Sequence, residues 1–257
     1  MRSDSERPTR AMAGTLRVET HATVPAMGKA AAAEAADVLR DALARAPGAR
    51  VVFAAAPSQA AMLAELVAAP GIDWSRITAF HMDDYLGLDA SAPQRFSHWL
   101  REHVFAHVGV AAFHAMPVEL GAERACADYA RLLSEAPIDL GLLGIGVNGH
   151  IAFNAPPVAD FDDPVMVKAV ELDRVCRQQQ VDDGCFPNFD TVPTHALTLT
   201  VPALMAVRRI VCTVPGAHKA AAVARLLRGP IGTDSPATIL RTHPDATLHI
   251  DREAANG

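Results

Sequence analysis

Residues Ile138–Pro156 read IDLGLLGIGVNGHIAFNAP, an apolar run followed by a glycine-rich turn and a second apolar segment. The run Ile138–Leu143 is long enough for a strand buried on both faces, as the strands of parallel sheets are. Ligands of open α/β sheets bind beyond the carboxyl ends of such strands. The turn therefore places Asn148 and His150 where a ligand would bind.

His150 has two interpretations on the residues alone. An isolated histidine in a loop is more often a surface or packing residue than a catalytic one. This histidine follows Gly144, Gly146 and Gly149, and glycine at such spacing indicates positive φ or close approach of the backbone to a ligand. We therefore interpret His150 as a functional residue and Gly149 as a contact for the substrate.

The rest of the chain alternates between strand and helix patterns. Apolar runs predict strands over Leu16–Val24, Val51–Ala55, Ile77–Met82, Val165–Val170, Ala196–Val201, Arg209–Val214 and Thr247–Ile250. Helical spacing predicts helices over Met27–Ala46, Ala60–Ala68, Ala122–Ser134, Asp173–Gln180 and Ala220–Leu227. This order predicts an α/β fold that is Rossmann-like, with a largely parallel central sheet and helices on both faces. We expect residues 1–14 to be a disordered leader and residues 15–257 to form a single domain.

The composition excludes several classes of protein. The 257 residues are 50% hydrophobic and 20% charged, with a net charge of -6. No run of Lys or Arg offers a surface for nucleic acid or an anionic membrane. We expect no dinucleotide, no metal and no other cofactor. The 4 cysteines lack CxxC spacing, which predicts reduced thiols in a cytoplasmic protein.

Further polar residues follow predicted strands or begin predicted helices. Asp83 and Asp84 stand at the end of Ile77–Met82. Adjacent acids are often a solvated turn, but at a strand end one acid can face a substrate while the other caps or orients it. Lys219 lies in the first turn of a helix, where a cation opposes the macrodipole unless an anion binds there. Ser58 precedes another helix and is either a phosphate contact or a simple N-cap.

Several longer motifs carry a family resemblance. The segments GVNGHIAFN, HMDDYLGL, VPTHALTLT, PGAHKA and ILRTHP resemble the glucosamine-6-phosphate deaminase family, which is related to sugar-phosphate isomerases and 6-phosphogluconolactonases. The resemblance runs from about Val51 to about Asp251. It implies a sugar-phosphate isomerase-like domain that converts glucosamine 6-phosphate to fructose 6-phosphate and ammonia, with a small sugar phosphate as its partner. It leaves the oligomeric state, including a homo-oligomer, open.

The resemblance also implies roles for individual residues. It makes Asp83 the base that moves a proton from C2 to C1, with Asp84 as its neighbour. It makes His150 the acid/base for ring opening, with Asn148 as its hydrogen-bond acceptor. It assigns the substrate phosphate to Lys219, with Ser58 as a further contact. Gln180 aligns near the usual phosphate arginine of the family, so we expect Arg177 to take that place.

The chain departs from the family pattern at three points. The histidine of the family is normally flanked by acids two residues before it and five residues after it, where this chain has Asn148 and Ala155. The phosphate loop reads AAAPSQAA instead of a glycine-rich segment with threonine. Two alternatives therefore accompany the deaminase: a lactonase-like hydrolase, although lactonases resemble GxDGHxAS, and a non-catalytic sensor of sugar phosphates.

Overall fold

The computed structural model describes residues 8–257. Its strands are β1 (Thr9–Ala13), β2 (Leu16–His21), β3 (Ala49–Phe53), β4 (Ile77–His81), β5 (Asp83–Tyr85), β6 (Ala112–His114), β7 (Leu140–Leu143), β8 (Val167–Glu171), β9 (His195–Leu199), β10 (Arg209–Val214) and β11 (Ala246–Asp251). Its α-helices are α1 (Val24–Arg45), α2 (Ala60–Ala68), α3 (Phe96–Leu100), α4 (Ala122–Ser134), α5 (Arg174–Asp182), α6 (Val201–Met205), α7 (Ala220–Arg228) and α8 (Arg252–Ala255). Within residues 8–257, no helix combines the length and the apolar character needed to cross a bilayer.

The larger sheet has the strand order β1-β2-β11-β10-β7-β3-β4-β6. Every neighbouring pair in it is parallel except β1 and β2. Strands β3 and β7 are neighbours, and the chain continues from β3 to β4 on one side but from β7 to β10 on the other. Such a reversal opens a crevice beyond the carboxyl ends of the two strands, where α/β sheets bind ligands.

Both faces of this sheet are buried, which confirms the predicted architecture. Val51 and Phe53 of β3 pack in the apolar cluster that contains the buried faces of α1 and α2. Val52 points to the opposite face, where α4 and α7 contribute their apolar side chains. Because successive strand residues point to opposite faces, a strand buried on both faces has no polar alternation.

A second, antiparallel sheet with the order β5-β9-β8 covers the carboxyl end of the larger one. Asp83 and Asp84, predicted to follow a strand of the central sheet, begin this second sheet, with Asp83 opposite Thr198. The predicted strands Val165–Val170 and Ala196–Val201 correspond to β8 and β9 and belong to this sheet as well. Apolar patterns report burial, but they do not specify which sheet a strand joins.

The N-terminal segment corrects the predicted disordered leader. Thr9–Ala13 forms β1 and pairs antiparallel with β2 at the edge of the sheet. Its side chains are largely exposed, so backbone pairing rather than an apolar pattern holds it in place. The prediction of disorder is therefore wrong for these residues, and residues 1–7 lie outside the described part of the chain.

Candidate active site

One pocket lies at the crevice between β3 and β7. Four predicted site residues line it together: Ser58 after β3, Asp83 after β4, His150 after β7 and Lys219 after β10. The carboxyl ends of parallel strands meet at one edge of a sheet, so residues far apart in sequence converge there. Asn148, Asp84, Gly149 and Arg177 are not among the residues that line the pocket.

The turn after β7 fixes the imidazole of His150. The Gly146 N–H donates to the His150 carbonyl at 2.9 Å, and the Gly149 N–H donates to the Gly146 carbonyl at 2.9 Å. A Cβ on Gly146 would overlap the His150 ring, so the ring lies directly against this glycine. Gly149, predicted as a substrate contact, has φ +85° and packs on Ser235 in this turn.

Asn148 holds His150 through two hydrogen bonds to one oxygen. Its Oδ1 accepts from the backbone N–H of His150 at 3.1 Å and lies 2.8 Å from Nδ1 of the ring. Its Nδ2 donates to Oδ2 of Asp173 at 3.2 Å. An ionised carboxylate only accepts, and a backbone N–H only donates, so the Asn148 amide has one orientation that satisfies both. Nδ1 of His150 must then be the donor, and Nε2 carries the lone pair.

Asp173 is the residue of this network that the sequence analysis missed. Its other oxygen, Oδ1, accepts from the Cys176 N–H at 2.6 Å and caps α5. The sequence signal at this position is only that of an N-cap, because the carboxylate reaches Asn148 from 25 residues away. The two acids that flank the histidine in the family are absent from this chain, but a carboxylate still lies one hydrogen bond beyond Asn148.

Burial keeps His150 neutral. Burial first, and the nearby charge of Lys219 second, lower the pKa of His150 to about 3. Nε2 makes no hydrogen bond to any residue between 8 and 257. At neutral pH the pocket therefore contains an imidazole whose free nitrogen can accept a proton.

Asp83 and Asp84 are adjacent but have different surroundings. Asp83 is 7% exposed and lines the pocket, and its carboxylate accepts no hydrogen bond from the described residues. Burial, and then the charge of Asp84, raise the pKa of Asp83 well above its usual value. Asp84 is 0% exposed and lies behind the pocket. Its oxygens accept from the N–H groups of Tyr85 and Phe96 and from the Ser97 hydroxyl, and one lies 3.4 Å from Nε of Arg95.

Lys219 is 2% exposed and has no ion-pair partner within 4.0 Å in the described part of the chain. Burial lowers its pKa, an effect that Asp183 opposes. It ends the 3₁₀ turn Ala217–Lys219 that leads into α7, and the turn Pro57–Gln59 leads into α2 on the other side of the pocket. Ser58 makes no capping bond there, so its hydroxyl is not committed to the helix. A buried cation in one pocket with the Ser58 hydroxyl suits an anionic group such as phosphate.

Arg177, predicted as a phosphate ligand, does not line this pocket. Its guanidinium donates to the carbonyls of Phe189 and Val192 at 3.0 and 2.8 Å and stacks 4.1 Å from the centre of the Phe189 ring. Gln179 lines the pocket from the same helix and accepts from the Val147 N–H at 3.0 Å. Two residues along an α-helix differ by about 200°, so Arg177 and Gln179 face opposite sides of α5.

The fold and the pocket agree with one family of enzymes. The model of the glucosamine-6-phosphate isomerases/6-phosphogluconolactonase family matches residues 22–249. The chain belongs to this family, which confirms the resemblance found in the sequence.

Individual relatives carry more specific names. A glucosamine-6-phosphate deaminase of Listeria monocytogenes serovar 1/2a is 34% identical over 196 residues, covering 76% of this chain and 81% of the relative. One from Leuconostoc citreum is 35% identical over 230 residues, with 87% and 94% covered. The solved structure of a monomeric glucosamine-6-phosphate deaminase superposes with a TM-score of 0.84 at 30% identity, covering 93% of this chain and 98% of that chain.

Proposed function

We propose that this protein is a glucosamine-6-phosphate deaminase, which converts glucosamine 6-phosphate to fructose 6-phosphate and ammonia. The observation that supports this most is the convergence of an unpaired Lys219, a neutral His150 and a buried Asp83 on one pocket. These groups supply an anion site, a proton acceptor and a carboxylate whose pKa is raised well above its usual value. Proton transfer at a carbon next to a carbonyl needs such a set of groups.

Phosphate binding comes first in this proposal. Lys219 ends the turn that precedes α7, and it lines the pocket together with Ser58 of the turn that precedes α2. The phosphate of the substrate binds there, with Ser58 as an additional donor. The binding energy offsets the cost of keeping Lys219 desolvated.

Ring opening is assigned to His150. Its neutral Nε2 accepts the proton of the anomeric hydroxyl and then delivers a proton to the ring oxygen, so the imidazole ends as it began. Asn148 keeps Nδ1 as the donor throughout, and Asp173 stabilises the transient positive charge through the amide of Asn148. The network thus replaces the flanking acids of the family with one more distant carboxylate.

Asp83 performs the isomerisation. Its carboxylate accepts the proton from C2 of the open-chain aldehyde, while O1 takes a proton from the ammonium group of the substrate, which gives a neutral enolamine. Asp83 then returns its proton to C1. The resulting iminium at C2 is hydrolysed by water, which releases ammonia and leaves the ketone of fructose 6-phosphate. Asp84 is a positioning residue, because its oxygens are occupied by its own loop.

The test is a substrate panel on the purified protein. Ammonia and fructose 6-phosphate should form in equal amounts from glucosamine 6-phosphate, and 6-phosphogluconolactone should not be hydrolysed above its spontaneous rate. Lactone hydrolysis without ammonia release would establish the lactonase alternative. Binding of glucosamine 6-phosphate without turnover would establish the sensor. We also infer a cytoplasmic location, which the 4 free cysteines support because disulfides are rare in that compartment.

A further inference from the structure

Three metal-ligating side chains lie together on the larger sheet, away from the residues of the pocket. Glu19 and His21 lie two residues apart on one face of β2, and His249 of β11 is the register partner of Glu19. Nε2 of His21 lies 3.1 Å from Nδ1 of His249 and 4.0 Å from Oε2 of Glu19. One donor atom from each residue lies within 4.8 Å of the other two. We call these three residues the strand cluster.

The spacing of these atoms suits a tetrahedral ion. Zinc binds imidazole nitrogen and carboxylate oxygen at about 2.0–2.2 Å, so two ligands in a tetrahedral site lie about 3.4 Å apart. The two imidazole nitrogens, 3.1 Å apart, need to separate by only a few tenths of an ångström. The carboxylate oxygen, 4.0 Å from Nε2 of His21 and within 4.8 Å of the His249 ligand atom, needs to approach both.

The surroundings of His249 are those of a metal-bound histidine. Nε2 of His249 lies 2.9 Å from Oε2 of Glu34 on α1, so this nitrogen is the donor and Nδ1 carries a lone pair, which accepts the Nε2–H of His21. When an ion binds both nitrogens, His21 carries its proton on Nδ1 instead. Ligating histidines commonly donate their second ring N–H to a carboxylate, which fixes the tautomer and increases ligand basicity. Glu34 is in turn held by Arg209.

Glu19 has one carboxylate oxygen to spare. Its Oε1 forms an ion pair with Arg10, 2.8 Å from Nε, while Oε2 faces His21. The side of the cluster formed by Glu19 and His249 opens to a surface cavity that Arg10 and Glu34 also line. An ion can therefore reach the cluster from solvent and keep a water as its fourth ligand.

We propose that Glu19, His21 and His249 form a site for a divalent transition-metal ion, with zinc as the best match to two imidazoles and one carboxylate. Magnesium and calcium prefer sites made of oxygen, so the pair of histidines argues against them. A bound ion ties β2 to β11 at the point where the N-terminal strands join the parallel sheet. The site is independent of the proposed deaminase reaction.

The experiment starts from protein that has been treated with a chelator and dialysed. Added Zn²⁺ should bind with one equivalent in calorimetry and raise the midpoint of thermal unfolding by about 5–10 °C at a hundred times Kd. Co²⁺ should give the visible d–d bands of a tetrahedral site. A protein that gains no stability and binds no stoichiometric ion would overturn the proposal.

Variants locate the site. His21→Gln and His249→Gln should each weaken Zn²⁺ binding at least about a hundredfold, and Glu34→Gln about ten- to a hundredfold. The matched control is His107→Gln, an exposed histidine on a different part of the surface, which should bind as the parent does. If a histidine variant folds poorly, Glu19→Gln provides the same test at a partly exposed position. Equal affinity in the double variant His21→Gln/His249→Gln would place the ion elsewhere and refute the assignment.

Discussion

His150 in the pocket and His21 in the strand cluster are both buried histidines, but they are held in different ways. Burial, followed by Lys219, lowers the pKa of His150 to about 3, and burial, followed by His249, lowers the pKa of His21 to about 4. His150 has one nitrogen fixed by Asn148 and the other free within residues 8–257. Nε2 of His21 instead faces the ring of His249.

The comparison shows that burial alone does not distinguish a catalytic group from a paired one. In the pocket, Lys219 and Asp83 are buried with no charged partner within 4.0 Å among the described residues. In the strand cluster, Glu19 pairs with Arg10, and Glu34, which lies beside the cluster, pairs with Arg209. Unpaired buried groups cost stability, and proteins retain them where a ligand completes the set.

The largest effect should come from removing the carboxylate of Asp83. Asp83→Asn keeps the size of the side chain but cannot accept the C2 proton, so turnover of glucosamine 6-phosphate should fall roughly a hundredfold or more. Ammonia release measures this, and the stabilisation by Zn²⁺ should be unchanged because the strand cluster lies elsewhere. Turnover equal to the parent would remove Asp83 from the mechanism.

Lys219→Met should act on binding and on stability in opposite directions. The loss of a charge-assisted contact to phosphate should raise KM roughly ten- to a hundredfold while kcat changes little. The variant without ligand should melt at a higher temperature than the parent, because a buried cation without a partner is replaced by an apolar side chain.

The control for this prediction is Lys168→Met. Lys168 pairs with Asp163 at 2.7 Å and does not line the pocket, so its replacement should leave KM unchanged. An unchanged KM in Lys219→Met would exclude Lys219 as the phosphate ligand. A lower melting temperature in Lys219→Met would show instead that the ammonium has a partner in the free protein.

The sequence predicted the fold and the centre of the site because both depend on local pattern. Runs such as Arg209–Val214 are mostly apolar, as strands covered on both faces are, and this run matches β10 residue for residue. Asp83, His150 and Lys219 each follow such a run, and the ends of parallel strands share one edge. No three-dimensional information is needed to place them together.

Other parts of both regions depend on contacts that no local pattern encodes. Arg177 and Gln179 lie in one predicted helix, but the side that faces the pocket is set by how α5 docks. His21 and His249 are 228 positions apart and meet only because β2 and β11 are neighbours. The register of that pair follows from the topology, which composition and periodicity leave undetermined.

Asp173→Asn should have an intermediate effect on turnover. Asparagine remains a good N-cap, but its single carbonyl oxygen cannot accept from both Cys176 and Asn148. If the Asn148 side-chain amide rotates so that its oxygen and nitrogen exchange places, Nδ1 of His150 loses its acceptor and the favoured tautomer changes. A charge-assisted hydrogen bond exceeds a neutral one by about 1 kcal/mol, which corresponds to roughly a fivefold loss of kcat.

A positioning role is separated from a folding defect by measuring both the turnover of the closed-ring substrate and the melting temperature. Ring opening is assigned to His150, so Asp173→Asn should slow the closed-ring substrate while its melting temperature stays within about 2 °C of the parent. Asp163→Asn, which alters an acid outside the pocket, is the matched control. A variant as active as the parent would show that Asn148 orients the histidine without help from a carboxylate.

The smallest effect concerns the charge of Asp84 and the pH profile. In the proposed mechanism Asp83 must be deprotonated, so kcat/KM should rise with pH through its pKa, which burial and then Asp84 hold well above the usual value. Asp84→Asn removes the like charge, makes Asp83 more acidic and should move the acid limb of the profile to lower pH. Oδ1 of the new amide can still accept from the N–H groups of Tyr85 and Phe96, which supports the fold.

Ser97→Ala is the control: it removes a hydrogen bond to Asp84 without changing charge, so the acid limb of its pH profile should stay in place. A limb that moves equally in both variants would mean that local structure, not the charge of Asp84, sets the profile, and one that moves in neither would mean that another group titrates there.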